Sequence, residues 1–451
     1  MMFTFDPLQA AFVGVPILTL IILSLPSSSV IRLGLYPLPA ILLFRAFRWP
    51  PTGTRDADES YLYGLFATVF LLRFSDYLYI QGYDAPKHFY RLKSKTGRSD
   101  ALERLEYPRN LGGRVHWALL LIFSQRGIGW NIQVPLPRTK YLVDRRAFVR
   151  QSVFLLLEIY LGLYLVGQSC QYMVRVLRDE VPTKPYPWIR EIFSNEMFQI
   201  LVGLIGWIIS IISHVSVPYN QVALICVGLG IGGTWSKIES WPSTFGRLKG
   251  IWSIRRVWGK VWHQNNRRCL NAPGEKVASI LLDEPSRLSR PLRLLRRYFL
   301  LFSAFASSGL LHALGVYFVT VTQPMIYSDS TPPHERPSWH ATAYFFYLQA
   351  VAITIEDFFC WAFGISDESD IKIPSARWVV GVFYTMLWFF FTTIPFWVHP
   401  QLAASGYQRI SDQGKGYIHV LEATGKASSV MPLNPWPAIV EGVSLLFNKA
   451  M

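Results

Sequence analysis

Of the nine histidines in this 451-residue chain, two stand where an imidazole has chemistry to do. His312 lies in the run SSGLLHALG, near the middle of Tyr298 to Thr320, a stretch that is otherwise apolar. A neutral imidazole is much cheaper in hydrocarbon than a fixed charge, yet a polar group at that depth normally faces a helix-bundle interior or a water-filled cavity. In such a place it can take a proton from a hydroxyl group and return it to a leaving group. An ordinary packing histidine, satisfied by a neighbouring helix, is about as good an account of the residue alone. Ser308, one turn earlier, is placed to hydrogen-bond the ring, and Gly309 and Gly315 leave room for another helix or a substrate.

His263 sits in WSIRRVWGKVWHQNNRR, Trp252 to Arg268, where tryptophans and arginines alternate too densely for a solvated loop. The pattern predicts an amphipathic helix in the membrane interface, with Trp252, Val257, Val261 and Trp258 toward lipid or core. Charge and aromaticity by themselves describe an interface anchor. The histidine between Trp262 and Gln264 adds an ionisable group turned toward protein. Further on, Gln349 and Glu356 are seven residues apart in an apolar run and share one helix face. For Glu356 a structural ion pair is the favoured role over direct catalysis.

Other reaction types find no support. There is no GxSxG elbow, no HxxxD, no Walker loop, no dinucleotide fingerprint and no HExxH, and the histidines are not clustered as di-iron sites require. Four cysteines without a CxxC pair imply neither a disulfide framework nor a zinc site, so no metal is expected.

The elements that must hold these groups are membrane helices. Half the residues are hydrophobic and only 16% are charged, and apolar runs near the ~20 residues that cross a bilayer recur along the whole length. Helices are predicted at 8–25, 30–46, 60–80, 150–168, 197–215, 219–235, 298–320, 340–363 and 377–398, with a weaker one at 436–448. The first lacks a basic leader and a cleavage site and is expected to be retained. We expect one all-α, polytopic membrane domain over 1–451, with about 8–10 transmembrane helices enclosing an intramembrane reaction chamber. It is organised as N-terminal helices (1–80), a basic loop (81–149), central helices (150–236), a basic amphipathic segment (237–297) and C-terminal helices (298–451).

The net charge of +15 collects in Gln81 to Arg150 and Lys237 to Arg297, between the apolar runs, so it describes membrane topology and not a nucleic-acid partner. By the positive-inside tendency both stretches are cytosolic. Three apolar runs lie between them, an odd number that conflicts with the rule. Either one run is re-entrant or the count is wrong.

Three segments resemble a known family: RNLGGRVHWALLLIFSQRGIGWN (Arg109 to Asn131), VWGKVWHQ (Val257 to Gln264) and SGLLHALG (Ser308 to Gly315), followed by YLQAVAITIED (Tyr347 to Asp357). They are similar to the wax-synthase-like branch of the membrane-bound O-acyltransferases, in particular to fungal members that acetylate terpenoid and meroterpenoid alcohols. The resemblance implies that His312 is catalytic and that His263 either shares the proton transfer or positions substrate. It implies a substrate-binding role for Trp258, Trp262, Gln264, Ser308, Gln349 and Glu356. Arg267 and Arg268 are candidates for the phosphates of acetyl-CoA, the expected co-substrate, with lipid-headgroup anchoring as the competing role.

No cofactor is expected to be bound. The acceptor is a hydrophobic alcohol arriving from the bilayer, and the endoplasmic reticulum is the membrane the family implies. A long-chain wax-ester or sterol-ester synthase is the nearest alternative on the same fold. A transporter or channel is the alternative of another class.

Overall fold

The computed structural model describes residues 7–26, 29–48, 57–80, 85–94, 102–135, 144–181, 186–282, 285–322, 338–364, 375–393 and 396. The chain divides into two compact units, one made of Met1–Pro137 with Phe245–Gly406 and the other of Arg138–Thr244 with Tyr407–Met451.

The first part of unit one holds α1 (Pro7–Ser24), α2 (Ile31–Leu35), α3 (Pro37–Arg48), α4 (Ala57–Ser75), which runs into a π-turn at Asp76–Ile80, and α5 (Ala85–His88). A two-strand antiparallel hairpin, β1 (Leu92–Ser94) with β2 (Leu102–Arg104), and α6 (Leu111–Phe123) follow. The helix expected at 30–46 is therefore two, parted at Tyr36 just before Pro37, which fits a helix start better than an interior. α6 was not expected, since Gln81 to Arg150 reads as a basic loop. Asn110 starts it by accepting the Gly113 backbone N–H at 2.6 Å.

Unit two contains α7 (Arg145–Leu177), α8 (Pro187–Ser194) and α9 (Glu196–Leu229). Its core is Cys170, Met173 and Val174 of α7 packed by Phe193, Phe198 and Val202. α9 corrects the reading of two spans at 197–215 and 219–235, because it is one helix with Pro218 inside. Pro218 lacks the N–H that would bond the His214 carbonyl, and the helix continues through it, as membrane helices tolerate. Nearby side chains bond their own preceding turns: Ser213 donates to Ile209 O, His214 Nδ1 bonds Ser210 O, and Asn220 donates to Ser216 O. Between the basic stretches, α7 and α9 are then the two described helices long and apolar enough to cross a membrane, and an even count agrees with the positive-inside rule.

Unit one resumes with α10 (Ile254–Arg256), a π-turn at Val257–Val261, α11 (Arg267–Leu281), α12 (Arg290–Thr322), α13 (Trp339–Ala362) and α14 (Ala376–Thr393). α12 lies between α4 and α13 and also packs against α11. By length and composition, four helical stretches among the described residues can cross a membrane: Arg145–Leu177, Met197–Leu229, Arg290–Thr320 and Trp339–Ala362. Their flanks expose large apolar side chains such as Leu157, Leu161, Ile205, Leu310 and Phe358, as lipid contact requires. The expected helix at 436–448 lies outside the described residues.

Candidate active site around His312

The segment before α11 departs from the amphipathic helix predicted for Trp252 to Arg268. Ser253 caps the one-turn α10, the chain widens into the π-turn, and Trp262 is extended (φ −68°, ψ 151°). What ends the helix is Gln264. Its amide donates to the carbonyls of both Trp258 and Trp262 at 2.8 Å, consuming acceptors that a continuing helix would need. Arg267 donates to Gln264 Oε1 at 3.0 Å and completes the knot.

This geometry turns Trp258 inward. Its ring lies 5.6 Å from Phe305 of α12, 6.1 Å from Phe346 of α13 and 5.8 Å from Trp262, and its Nε1 donates to Gln349 Oε1. Gln349 is fully buried and fully used, accepting from Trp258 and Trp388 and donating to Phe345 O and Thr392 Oγ1. It holds aromatic rings in place. Glu356 is engaged in a comparable way, since its carboxylate accepts from Ser253 Oγ and from the backbone N–H groups of Ile254 and Arg255. The neighbouring Asp357 makes the ion pairs, with Arg255 and, at 2.8 Å, with Arg297.

Three helices converge on His312. A Cβ on Gly315 would stand 2.7 Å from the ring of Tyr61, and one on Gly309 would stand 3.2 Å from the Ala343 carbonyl. The two glycines thus admit α4 on one side and α13 on the other. Tyr61 Oη reaches His312 Nδ1 at 3.0 Å. Phe346 stacks on the imidazole with centroids 4.7 Å apart and planes 11° from parallel. One nitrogen is tied to another helix, the ring plane is held, and the side chain keeps partial accessibility. Ser308, on the same helix, is also partly accessible.

His263 belongs to the same aromatic group. Centroid separations of 5.4 Å to Trp262 and 5.7 Å to Phe245 frame it, and the ring series His263, Trp262, Trp258, Phe346, His312 links the two imidazoles. The two histidines are within electrostatic reach of each other. Burial, and then the Arg126 guanidinium, push the His263 imidazole down to about 4, so it is neutral at pH 7. Its Nδ1 is buried with no hydrogen-bond partner among the described residues.

Arg268 is committed elsewhere. It grips the fully buried Asp76 through Nε at 2.9 Å and Nη2 at 3.0 Å, and reaches Glu275 at 3.3 Å. That pair ties the end of α4 to the start of α11, directly after the segment that carries His263. Tyr61, Phe346, Arg126 and Asp76 were not singled out from sequence. Asp76 carried a readable signal, a carboxylate inside an apolar run, whereas Tyr61 is 251 positions from its partner and no local pattern pairs them.

Comparison with known proteins gives the class. Residues 241–329, which include both histidines and Trp258, match the model of the membrane bound O-acyl transferase family. An acetyltransferase of Arthrobotrys oligospora is 52% identical over 98% of this chain and 91% of its own length. The O-mevalon transferases yanI of Aspergillus niger and macI of Penicillium terrestre are each 31% identical, over 93% and 91% of this chain and 90% and 88% of theirs. No solved structure matches. The chain belongs to the membrane bound O-acyl transferase family and is an acyltransferase built on membrane helices.

Proposed function

We propose that the protein moves an acetyl group from acetyl-CoA to a hydroxyl of a hydrophobic secondary metabolite of the terpenoid or meroterpenoid kind, with His312 as the base. The observation that carries the reading is the setting of His312, an ionisable ring in the middle of an apolar helix with one nitrogen tied to α4 and one face against α13. Acetyl as the transferred group is supported by the name of the 52% identical relative. The two O-mevalon transferases make a mevalon-type acyl group the next donor to try.

In the reaction, the acceptor oxygen forms a bond to the thioester carbonyl carbon as its proton passes to the imidazole. The tetrahedral intermediate then collapses, the C–S bond breaks, and the CoA sulfur takes that proton. The products are the ester and free CoA thiol. A positioned base contributes ~10² to 10⁴ in rate, and holding both substrates together contributes at least as much. His263, neutral at pH 7, is suited to hydrogen-bonding substrate beside the base. Trp258 and Trp262 form the apolar wall of that site. Gln264, Arg267, Gln349 and Glu356 serve it by shaping the Trp258–His263 segment, and the endoplasmic reticulum membrane is the site of action we favour.

The test uses purified full-length protein in lipid nanodiscs with acetyl-CoA and farnesol as a probe alcohol. Thiol release matched by farnesyl acetyl ester in the mass spectrum is expected. Solute flux through the protein in liposomes, with no thiol release across a panel of terpenoid alcohols, would instead establish a transporter.

A further inference from the structure

The bond between Tyr61 and His312 has two possible directions, and they have opposite consequences. A phenol can donate to Nδ1 or accept from Nδ1–H. If it donates, the ring proton is on Nε2, and that atom has no lone pair for an incoming proton. If it accepts, Nδ1 carries the proton and the in-plane lone pair is on Nε2. We propose that Tyr61 accepts, and that it is the positioning residue that holds His312 in the tautomer able to take the alcohol proton at Nε2. This rests on the reading of His312 as the base.

Geometry supports a built contact. The Tyr61 ring enters the space left by the missing side chain of Gly315, packs against the fully buried Val316 and Val319, and brings Oη to 3.0 Å from Nδ1. Phe346, stacked on the imidazole, holds the ring plane from the α13 side. A histidine elsewhere in the chain shows what helix geometry does unaided: His214 Nδ1 bonds the Ser210 carbonyl of its own turn at 2.8 Å. At His312 another helix supplies the partner. Titratable groups that act on His312 include Tyr61 from α4 and His263 from the segment before α11, while α13 offers the aromatic face of Phe346.

Tyr61→Phe removes the oxygen and keeps the ring. In the acetyl-CoA and farnesol assay, kcat is expected to fall roughly 10- to 100-fold, with KM for acetyl-CoA within about twofold. The acid limb of the kcat–pH profile supplies the decisive sign. An accepting hydroxyl favours the imidazolium, so losing it moves that limb to lower pH. A donating hydroxyl favours neutral imidazole, so losing it moves the limb to higher pH. An upward move, or a kcat unchanged from wild type, overturns the proposal.

If Tyr61→Phe does not fold, the 15N chemical shifts of the His312 ring in the wild-type protein, assigned by their loss in His312→Ala, read the tautomer directly. A protonated Nδ1 with an unprotonated Nε2 is expected, and the reverse overturns the idea. Wild-type and His312→Ala proteins run alongside separate the two levels. A His312→Ala enzyme with normal turnover sinks the functional reading, whereas an inactive His312→Ala beside a fully active Tyr61→Phe sinks only the role of Tyr61.

Discussion

α9 and α12 are both long apolar helices with a histidine near the middle, and they treat it in opposite ways. In α9 His214 is exposed and turns its Nδ1 back to Ser210 O, beside the backbone interruption at Pro218. In α12 His312 bonds Tyr61 on a different helix and stacks on Phe346 of a third. The chemical group is the same, and so is its placement in an apolar run. The difference lies in the partner: the His312 ring is engaged by two other helices, whereas the His214 ring is engaged by its own turn, and only the first arrangement fixes an imidazole against neighbouring elements.

Replacing each histidine with alanine is the hardest blow to that distinction. His312→Ala is expected to lower kcat by ~10²-fold or more with the protein still folded in lipid, because the proton must move in the transition state. His214→Ala should leave kcat within about twofold. Paired measurements of thiol release at equal protein content decide it, and comparable losses from the two variants would erase the contrast between α9 and α12.

Ion pairs offer a second comparison: Arg175 and Arg178 with Glu180 in unit two are exposed, while Arg268 in unit one covers an Asp76 that is wholly buried. Removing one partner of a buried pair leaves an uncompensated charge and costs about 3–5 kcal/mol, whereas an exposed pair is worth about 1 kcal/mol or less. Arg268→Ala should therefore show a large loss of thermal stability or of yield in detergent. Arg178→Ala should melt within a few degrees of wild type. A stable Arg268→Ala protein with only a raised KM for acetyl-CoA would return that arginine to phosphate binding.

Structure and sequence agree where a residue type carries its meaning locally and part where the meaning depends on a partner. The small residues beside His312 and the alternation of apolar runs with basic stretches are local properties, and among the described residues helices lie where those runs do. The break at Trp262 depends on the Gln264 side chain folding back onto two carbonyls, which charge periodicity does not encode. Pro218 reads as a helix boundary by soluble-protein rules, yet α9 passes through it. Glu356 was expected in an ion pair. It serves instead as an acceptor for the N-terminus of α10, with Asp357 making the ion pairs, because the one-turn α10 comes to lie against α13.

Two helix glycines give a finer test of where packing matters. A Cβ on Gly315 collides with the Tyr61 ring at 2.7 Å, whereas one on Gly162 of α7 meets nothing within 4 Å. Overpacking a filled site costs about 1–3 kcal/mol, and displacing Tyr61 also disturbs the bond to His312. Gly315→Ala is expected to lower both melting temperature and kcat. Gly162→Ala should be silent or slightly stabilising. Equal behaviour of the two in the melting and turnover assays would mean that the space beside Gly315 is not what seats Tyr61.

The smallest effect concerns His263, and it appears as a dependence of stability on pH. An ordinary imidazole titrates near 6.5 in an unfolded chain, and burial beside Arg126 brings this one down to about 4 in the fold. Between those values the unfolded chain binds the proton that the native protein refuses, so stability falls as pH drops from about 6.5 toward 4. Above 6.5 both states are neutral and the contribution is flat. The slope cannot exceed ~1.4 kcal/mol per pH unit for a single group. His263→Gln keeps a polar side chain and removes the titration, so its melting temperature should depend less steeply on pH over that window than the wild type's. Parallel slopes for wild type and His263→Gln between pH 4.5 and 6.5 would show that the His263 ring takes up its proton without unfolding the site, and that the neutral imidazole is not built into the fold.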